Sequence, residues 1–178
     1  MTQSGKINAA QRMRYLGLFL VSMCYVTYFM FMDWHGFFIP FTNWTLMLTT
    51  ASLLASIQAA NDTTNFGKDA LSRGESAVWL QARHHLLYTL CIVCNFICVA
   101  FYWFLLRAEQ QQIHGSHETL GWGRSLHLEL VHSVPGGACL VNILCTNCIL
   151  KRDNWKFITY MVIIYGFFCW LYFLITGT

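Results

Sequence analysis

The chain has 178 residues, of which 56% are hydrophobic, 16% aromatic and 11% charged, with a net charge of +3. A soluble domain carries charge at roughly a quarter of its residues, so this composition excludes a water-soluble globule, and the modest positive balance reflects topology rather than a nucleic-acid-binding surface. Strand alternation is absent, which argues against a barrel and leaves helices, whose backbone groups satisfy one another inside hydrocarbon.

In chain order, the N-terminal stretch MTQSGKINAAQRMR has two arginines and no acids. It is weakly like an organelle transit sequence, but it runs straight into an apolar segment without a cleavage signal. Five apolar segments follow, spanning Tyr15 to Met32, Ile39 to Ala60, Leu86 to Leu106, Leu126 to Leu150 and Phe157 to Thr176. Each is long enough to cross roughly 30 Å of hydrocarbon at about 1.5 Å per helical residue. The sequence therefore predicts a single membrane domain over residues 1–178, an all-α polytopic bundle of five transmembrane helices. Between the second and third spans, Asn61 to Arg83 reads as a polar connecting loop with room for a short interfacial helix. Arg107 to Arg124 reads as a second loop of similar kind.

Basic residues set the orientation, because Lys and Arg favour the cytoplasmic or matrix side. With the N-terminus inside, that side holds Lys6, Arg12, Arg14, Lys68, Arg73, Arg83, Lys151, Arg152 and Lys156, nine in all, against Arg107 and Arg124 outside. The glycosylation patterns at Asn43 and Asn61 then fall within a span and on the inner side, where neither serves as an acceptor.

Eight cysteines, including Cys91, Cys94, Cys98, Cys145 and Cys148, lie inside predicted spans. There small side chains favour helix contacts and a thiol behaves as a small hydrophobe, so packing is the expected role. A metal site built from Cys94, Cys98 and Cys148 is the alternative; no metal and no cofactor is expected. His84 and His85 fall near the inner end of the third span and His127 and His132 near the outer end of the fourth, so the two pairs cannot hold one haem. Interfacial snorkelling is expected of His84, His85 and His127.

The chain has two prolines, Pro40 and Pro135, each within three residues of a polar group able to do chemistry. Pro40 suits the first turn of the second helix, which places Thr42 and Asn43 among backbone donors that lack intrahelical partners. In HSVPGGAC, Pro135 removes a backbone donor from the fourth helix, and Gly136 and Gly137 remove bulk beside it, so a bend with room next to it is expected. His132 lies one turn before that bend. Glu129 shares its face, and because a charged Glu costs roughly 2.5 to 3.5 kcal/mol inside a bilayer, it is expected near the interface, protonated, or paired with His132 or Arg124.

Topology connects the two prolines. The second and fourth spans both start on the outer side, which puts Thr42 and His132 at depths of about 4 to 5 Å and about 9 Å. A hydroxyl beside an imidazole is the minimum for nucleophilic acyl transfer, and the free N–H groups of the second helix offer positive potential to an oxyanion. Thr45, one turn on, is the other candidate hydroxyl. The bland reading is a threonine bonded to a carbonyl of its own helix and a histidine bonded to a neighbouring one.

At these residues the chain resembles the androgen-induced-gene family of multispan membrane proteins, related to the Rolling stone group. The likeness lies in Phe41-Thr42-Asn43 opening the second span and in Phe101-Tyr102-Trp103 running to Arg107 at the end of the third. It continues in His132-Ser133-Val134 in the fourth and Ile175-Thr176-Gly177 after the fifth, so it covers most of the chain in order. The resemblance implies a helical membrane fold and, for the hydrolytic members, a threonine nucleophile with a histidine partner cleaving lipid esters of branched hydroxy fatty acids. Carried onto this sequence those roles fall on Thr42 and His132. Two features depart from the family: a sixth span is expected where this chain stops at Thr178, and Glu129 has no clear counterpart.

The preferred expectation is a threonine-dependent lipid-ester hydrolase working in the outer leaflet, with membrane lipids as its partners. The alternative is a non-catalytic structural or accessory subunit of a larger complex, such as a mitochondrial respiratory or ATP synthase assembly. Its motivation is the short chain, the minimal loops and the transit-like N-terminus. A third reading is an electron carrier using the cysteines or histidines. The expected location is the mitochondrial inner membrane, or else the endoplasmic reticulum or plasma membrane.

Overall fold

A computed structural model describes residues 3–32, 40–65, 74–108, 112, 121–145 and 154–176. They form five helices: α1 (Gln3–Phe31), α2 (Phe41–Asn65), α3 (Gly74–Phe101), α4 (Gly121–Leu144) and α5 (Trp155–Thr176). α3 runs directly into a π-helical turn, Tyr102–Leu106. No strand occurs among the described residues.

Three segments, Ala9–Phe31, Arg83–Leu106 and Trp155–Ile175, are long and apolar enough to cross a membrane. The other two helices have a different construction. α2 buries Asn43, Thr45, Thr49, Ser52 and Ser56, and α4 buries His127, His132 and Asn142. Large apolar side chains meanwhile face outward: Phe96 is 76% exposed, Leu144 79% and Phe104 86%. A water-soluble protein keeps its polar groups outside; here many of them lie inside the bundle and large apolar side chains face outward, an arrangement consistent with an integral membrane protein.

α1 packs along α4 and α2 along α3, with α2 and α4 also in contact. Val21, Cys24, Leu46, Leu53, Val131 and Ala138 form the apolar centre. Gly17 lets α1 approach α4, since a Cβ there would already touch Ala138 at 3.5 Å. α5 is peripheral and meets α2 through its rings, with Tyr165 against Phe41 and Trp44, and Phe168 against Trp44.

Several expectations are corrected here. The stretch read as a polar loop from Asn61 to Arg83 is helical at both ends, because α2 continues to Asn65 and α3 starts at Gly74. α4 ends at Leu144 rather than Leu150; residues 146–150, and with them Cys148 of the alternative metal set, lie outside the described residues. Gly136 does not open space: a Cβ there would come 2.8 Å from Val99 Cγ2, so this glycine lets α3 and α4 approach closely, whereas Gly137 has nothing within 4 Å.

Candidate functional site

α2 begins immediately after Pro40, whose carbonyl accepts from the Asn43 N–H at 3.0 Å and closes the first turn. The turn presents Thr42 toward α4. Thr42 Oγ1 lies 2.9 Å from His132 Nε2, and His132 Nδ1 lies 2.6 Å from the Leu128 carbonyl one turn earlier in α4. A carbonyl only accepts, so Nδ1 carries the ring proton and Nε2 presents a lone pair. The threonine O–H therefore donates to the imidazole, and one bond on the far nitrogen fixes the tautomer.

α3 completes the site. The Tyr102 ring stacks on the His132 ring at 3.7 Å between centroids and 6° between planes. Cys98, one turn before Tyr102, donates its thiol to Thr42 Oγ1 at 3.5 Å. Tyr102 opens the π-helical turn; the wider helical ring sets the register of this segment apart from a continued α-helix, and such turns recur at functional sites.

Two cavities meet at this cluster. One, of about 270 Å³, is bounded by Thr42, Cys98, Phe101, Tyr102 and His132. The other, of about 440 Å³, also reaches Thr42, Tyr102 and His132 and extends to Tyr28, His127 and Val131. Both lie on the His132 side of α4, and Pro135 and the paired glycines line neither.

The predicted residues are thus brought together at Thr42 and His132, and several neighbours depart from expectation. Thr45 is buried and donates to the Thr42 carbonyl at 2.7 Å, so its hydroxyl is spent within its own helix. Glu129 pairs with Arg107 at 2.8 Å, not with His132 or Arg124; Arg107 also lies over the Trp103 ring at 4.7 Å, and Arg124 donates to the Phe31 carbonyl. His127 does not snorkel: it is 2% exposed and its Nδ1 sits 2.8 Å from Thr27 Oγ1 on α1. Nor does His84 stand free at the interface, since its Nε2 lies 2.9 Å from Ser56 Oγ. Ser56 also receives the Asn142 amide, and Asn142 Oδ1 in turn receives Arg14 Nε at 3.2 Å.

Cys24, Cys91, Cys94, Cys98 and Cys139 are buried thiols and Cys145 and Cys169 are half-buried; Cys91 Sγ lies 3.6 Å from Cys139 Sγ and Cys94 Sγ lies against Met161 Sδ. Among the described residues, no three His, Cys, Asp or Glu side chains converge as a metal site. Cys98, Tyr102 and His127 are the neighbours that sequence reasoning missed. The only linear signal was the Phe101-Tyr102-Trp103 run at the end of α3, whose register depends on the π-helical turn.

Comparison with protein families, with characterised proteins and with solved structures finds no match. The chemistry of the site is accordingly argued from its own geometry.

Proposed function

We propose that the chain is a five-span membrane protein, N-terminus inside, whose Thr42 and His132 hydrolyse a lipid ester in the outer leaflet. The observation that carries this reading is the directed chain Thr42 O–H to His132 Nε2, with His132 Nδ1–H held by the Leu128 carbonyl. A nucleophile hydrogen-bonded to a base, with the base oriented by a third group, is the arrangement that acyl transfer needs.

In the proposed reaction Thr42 Oγ1 attacks the ester carbonyl carbon while His132 Nε2 takes the hydroxyl proton. The carbonyl π electrons move onto oxygen. Collapse of this intermediate breaks the ester C–O bond, and the departing alkoxide takes the proton from the imidazolium, leaving an acyl-threonine and a free alcohol. Water then attacks the acyl carbon while His132 Nε2 takes its proton; collapse breaks the bond between the acyl carbon and Thr42 Oγ1, which takes the proton back from the imidazolium as the carboxylic acid leaves. The oxyanion is served by the Thr42 N–H in the first turn of α2, where backbone donors lack intrahelical acceptors. The Asn43 N–H is already committed to Pro40. Phe41, Ile97, Phe101 and Leu106 in the wall of the smaller cavity give an acyl chain apolar surface to lie against.

The test is covalent. Protein in lipid nanodiscs is treated with a long-chain alkyl phosphonofluoridate and digested, and the modified peptide is sequenced by mass spectrometry. Modification at Thr42, abolished in Thr42→Ala and strongly slowed in His132→Phe, is expected. Folded wild-type protein that takes no label at Thr42 and leaves lipid esters intact overturns the reading.

A further inference from the structure

The larger cavity has a second imidazole that the proposed hydrolysis does not use. Thr27 has a single hydroxyl proton, and it donates that proton to the Cys24 carbonyl at 3.1 Å. With the Thr27 proton directed at the Cys24 carbonyl, the threonine oxygen accepts at its 2.8 Å contact with His127 Nδ1, which corresponds to the tautomer that carries its proton on Nδ1 and presents a lone pair at Nε2. The ring is held edge-on to Tyr28, with centroids 5.4 Å apart. Nε2 has no hydrogen-bond partner among the described residues, in a side chain that is 2% exposed and lines the 440 Å³ cavity. In the same wall the Tyr102 hydroxyl is buried without a partner.

An occupant that displaces water from this wall leaves the Nε2 lone pair without a donor, at a cost of about 1–3 kcal/mol, unless it supplies an O–H itself, so an alcohol is favoured there. Ester and ether oxygens cannot supply one. A cationic donor is disfavoured against Tyr28, Leu128 and Val131, because burying a charge among apolar walls costs far more than burying an alcohol. We propose that His127 is a specificity-determining residue which reads a free hydroxyl, so that the cavity takes lipids of the partial-glyceride class, with an unesterified alcohol beside the ester, and rejects fully esterified ones. This assignment rests on the hydrolase reading for the fate of the ester, but not for the recognition of the alcohol.

The experiment uses ligands that cannot be hydrolysed. Binding of 1-O-hexadecylglycerol and of its 2,3-di-O-methyl ether is measured on full-length protein in nanodiscs, together with the ¹⁵N resonance of His127 Nε2 in histidine-labelled protein. The diol is expected to bind roughly three- to tenfold more tightly, the size of one net hydrogen bond, and to move the Nε2 resonance, whereas the dimethyl ether leaves it in place. His127→Phe, which keeps the ring against Tyr28, is expected to bind both ethers equally. Equal binding of the two ethers to wild type with Nε2 unmoved, the result if water alone fills the site, overturns the proposal. So does a diol preference that survives undiminished in folded His127→Phe. A diol preference without turnover of the matching ester removes hydrolysis and leaves this inference standing; turnover without the preference does the reverse.

Discussion

The adjacent glycines of α4 make opposite predictions, and the structure gives their magnitudes. A Cβ at Gly136 would lie 2.8 Å from Val99 Cγ2, well inside the roughly 3.5–4.0 Å of ordinary carbon contact. Val99 is β-branched and on a helix it has one comfortable rotamer, so relief requires α3 and α4 to separate. Overpacking of this kind costs about 1–3 kcal/mol, and the helical gain of Ala over Gly returns about 0.5–1, for a net loss of about 1–2 kcal/mol in Gly136→Ala. At Gly137 a Cβ meets nothing within 4 Å, so Gly137→Ala keeps only the helical gain and stabilises by about 0.5–1 kcal/mol. Reversible unfolding in mixed micelles, followed by helical circular dichroism, reads both changes. Removing Val99 Cγ2 supplies the control: in the cycle formed with Val99→Ala, Gly136→Ala should be at least about 1 kcal/mol less harmful than in the parent. Because α3 also carries Cys98 and Tyr102, ester turnover should fall with Gly136→Ala and recover in the double variant. Equal effects at the two glycines, or no coupling to Val99, would refute the close α3–α4 approach on which the stacking of Tyr102 over His132 depends.

Within the site, Thr42→Ala should abolish hydrolysis, by about a thousandfold or more in kcat, while costing only about 0.5–1.5 kcal/mol for the lost bond to His132. Thr42→Ser, which keeps the hydroxyl, should retain measurable turnover; a lipid-ester assay beside an unfolding curve separates the two effects. Arg14→Met removes bonds to Asn142 Oδ1 and to the Cys145 carbonyl. It should destabilise by about 1.5–3 kcal/mol, the range for hydrogen bonds to a charged group, with ester turnover in the folded fraction unchanged. Glu129→Gln breaks an ion pair whose side chains are 42% and 36% exposed, and the unfolding midpoint should move by less than about 1 kcal/mol equivalent.

How much of this was legible in the sequence depended on where each residue's partner comes from. α1, α3 and α5 announce themselves because each carries an apolar window long enough to cross a membrane, and the structure has helices at all three. α2 and α4 hold polar side chains that turn inward, so hydropathy under-reports them although they line the centre. Thr42 and His132 were expected as neighbours from a topology in which the second and fourth spans run the same way, and the structure places their side chains 2.9 Å apart. His127 was misread for a complementary reason. What buries it is Thr27 and Tyr28 on α1, and nothing in the linear order says which helix lies against α4. Glu129 likewise found Arg107 across the end of α3 rather than a partner on its own helix, and the π-helical turn that brings Tyr102 over His132 is set by packing, with no composition of its own.

The orientation of His132 by a main-chain carbonyl bears on why such a site suits a membrane. In the proposed reaction the ground state holds a neutral threonine, a neutral imidazole and a neutral ester. The tetrahedral intermediate is an imidazolium beside an oxyanion, so charge separates but no net charge enters the low-dielectric interior. A carboxylate behind the imidazole would hold the imidazolium more tightly, but it would also have to be buried as an anion in the resting protein, at roughly 2.5–3.5 kcal/mol on insertion scales. The one acidic residue of α4, Glu129, is instead bound by Arg107. The Leu128 carbonyl at 2.6 Å fixes the tautomer without adding charge, because its partner nitrogen carries a proton in both states. In the proposed reaction the arrangement gives up part of the stabilisation of the imidazolium and keeps the resting site neutral, so the proposed acyl transfer would be slower than that of a solvated carboxylate-backed triad.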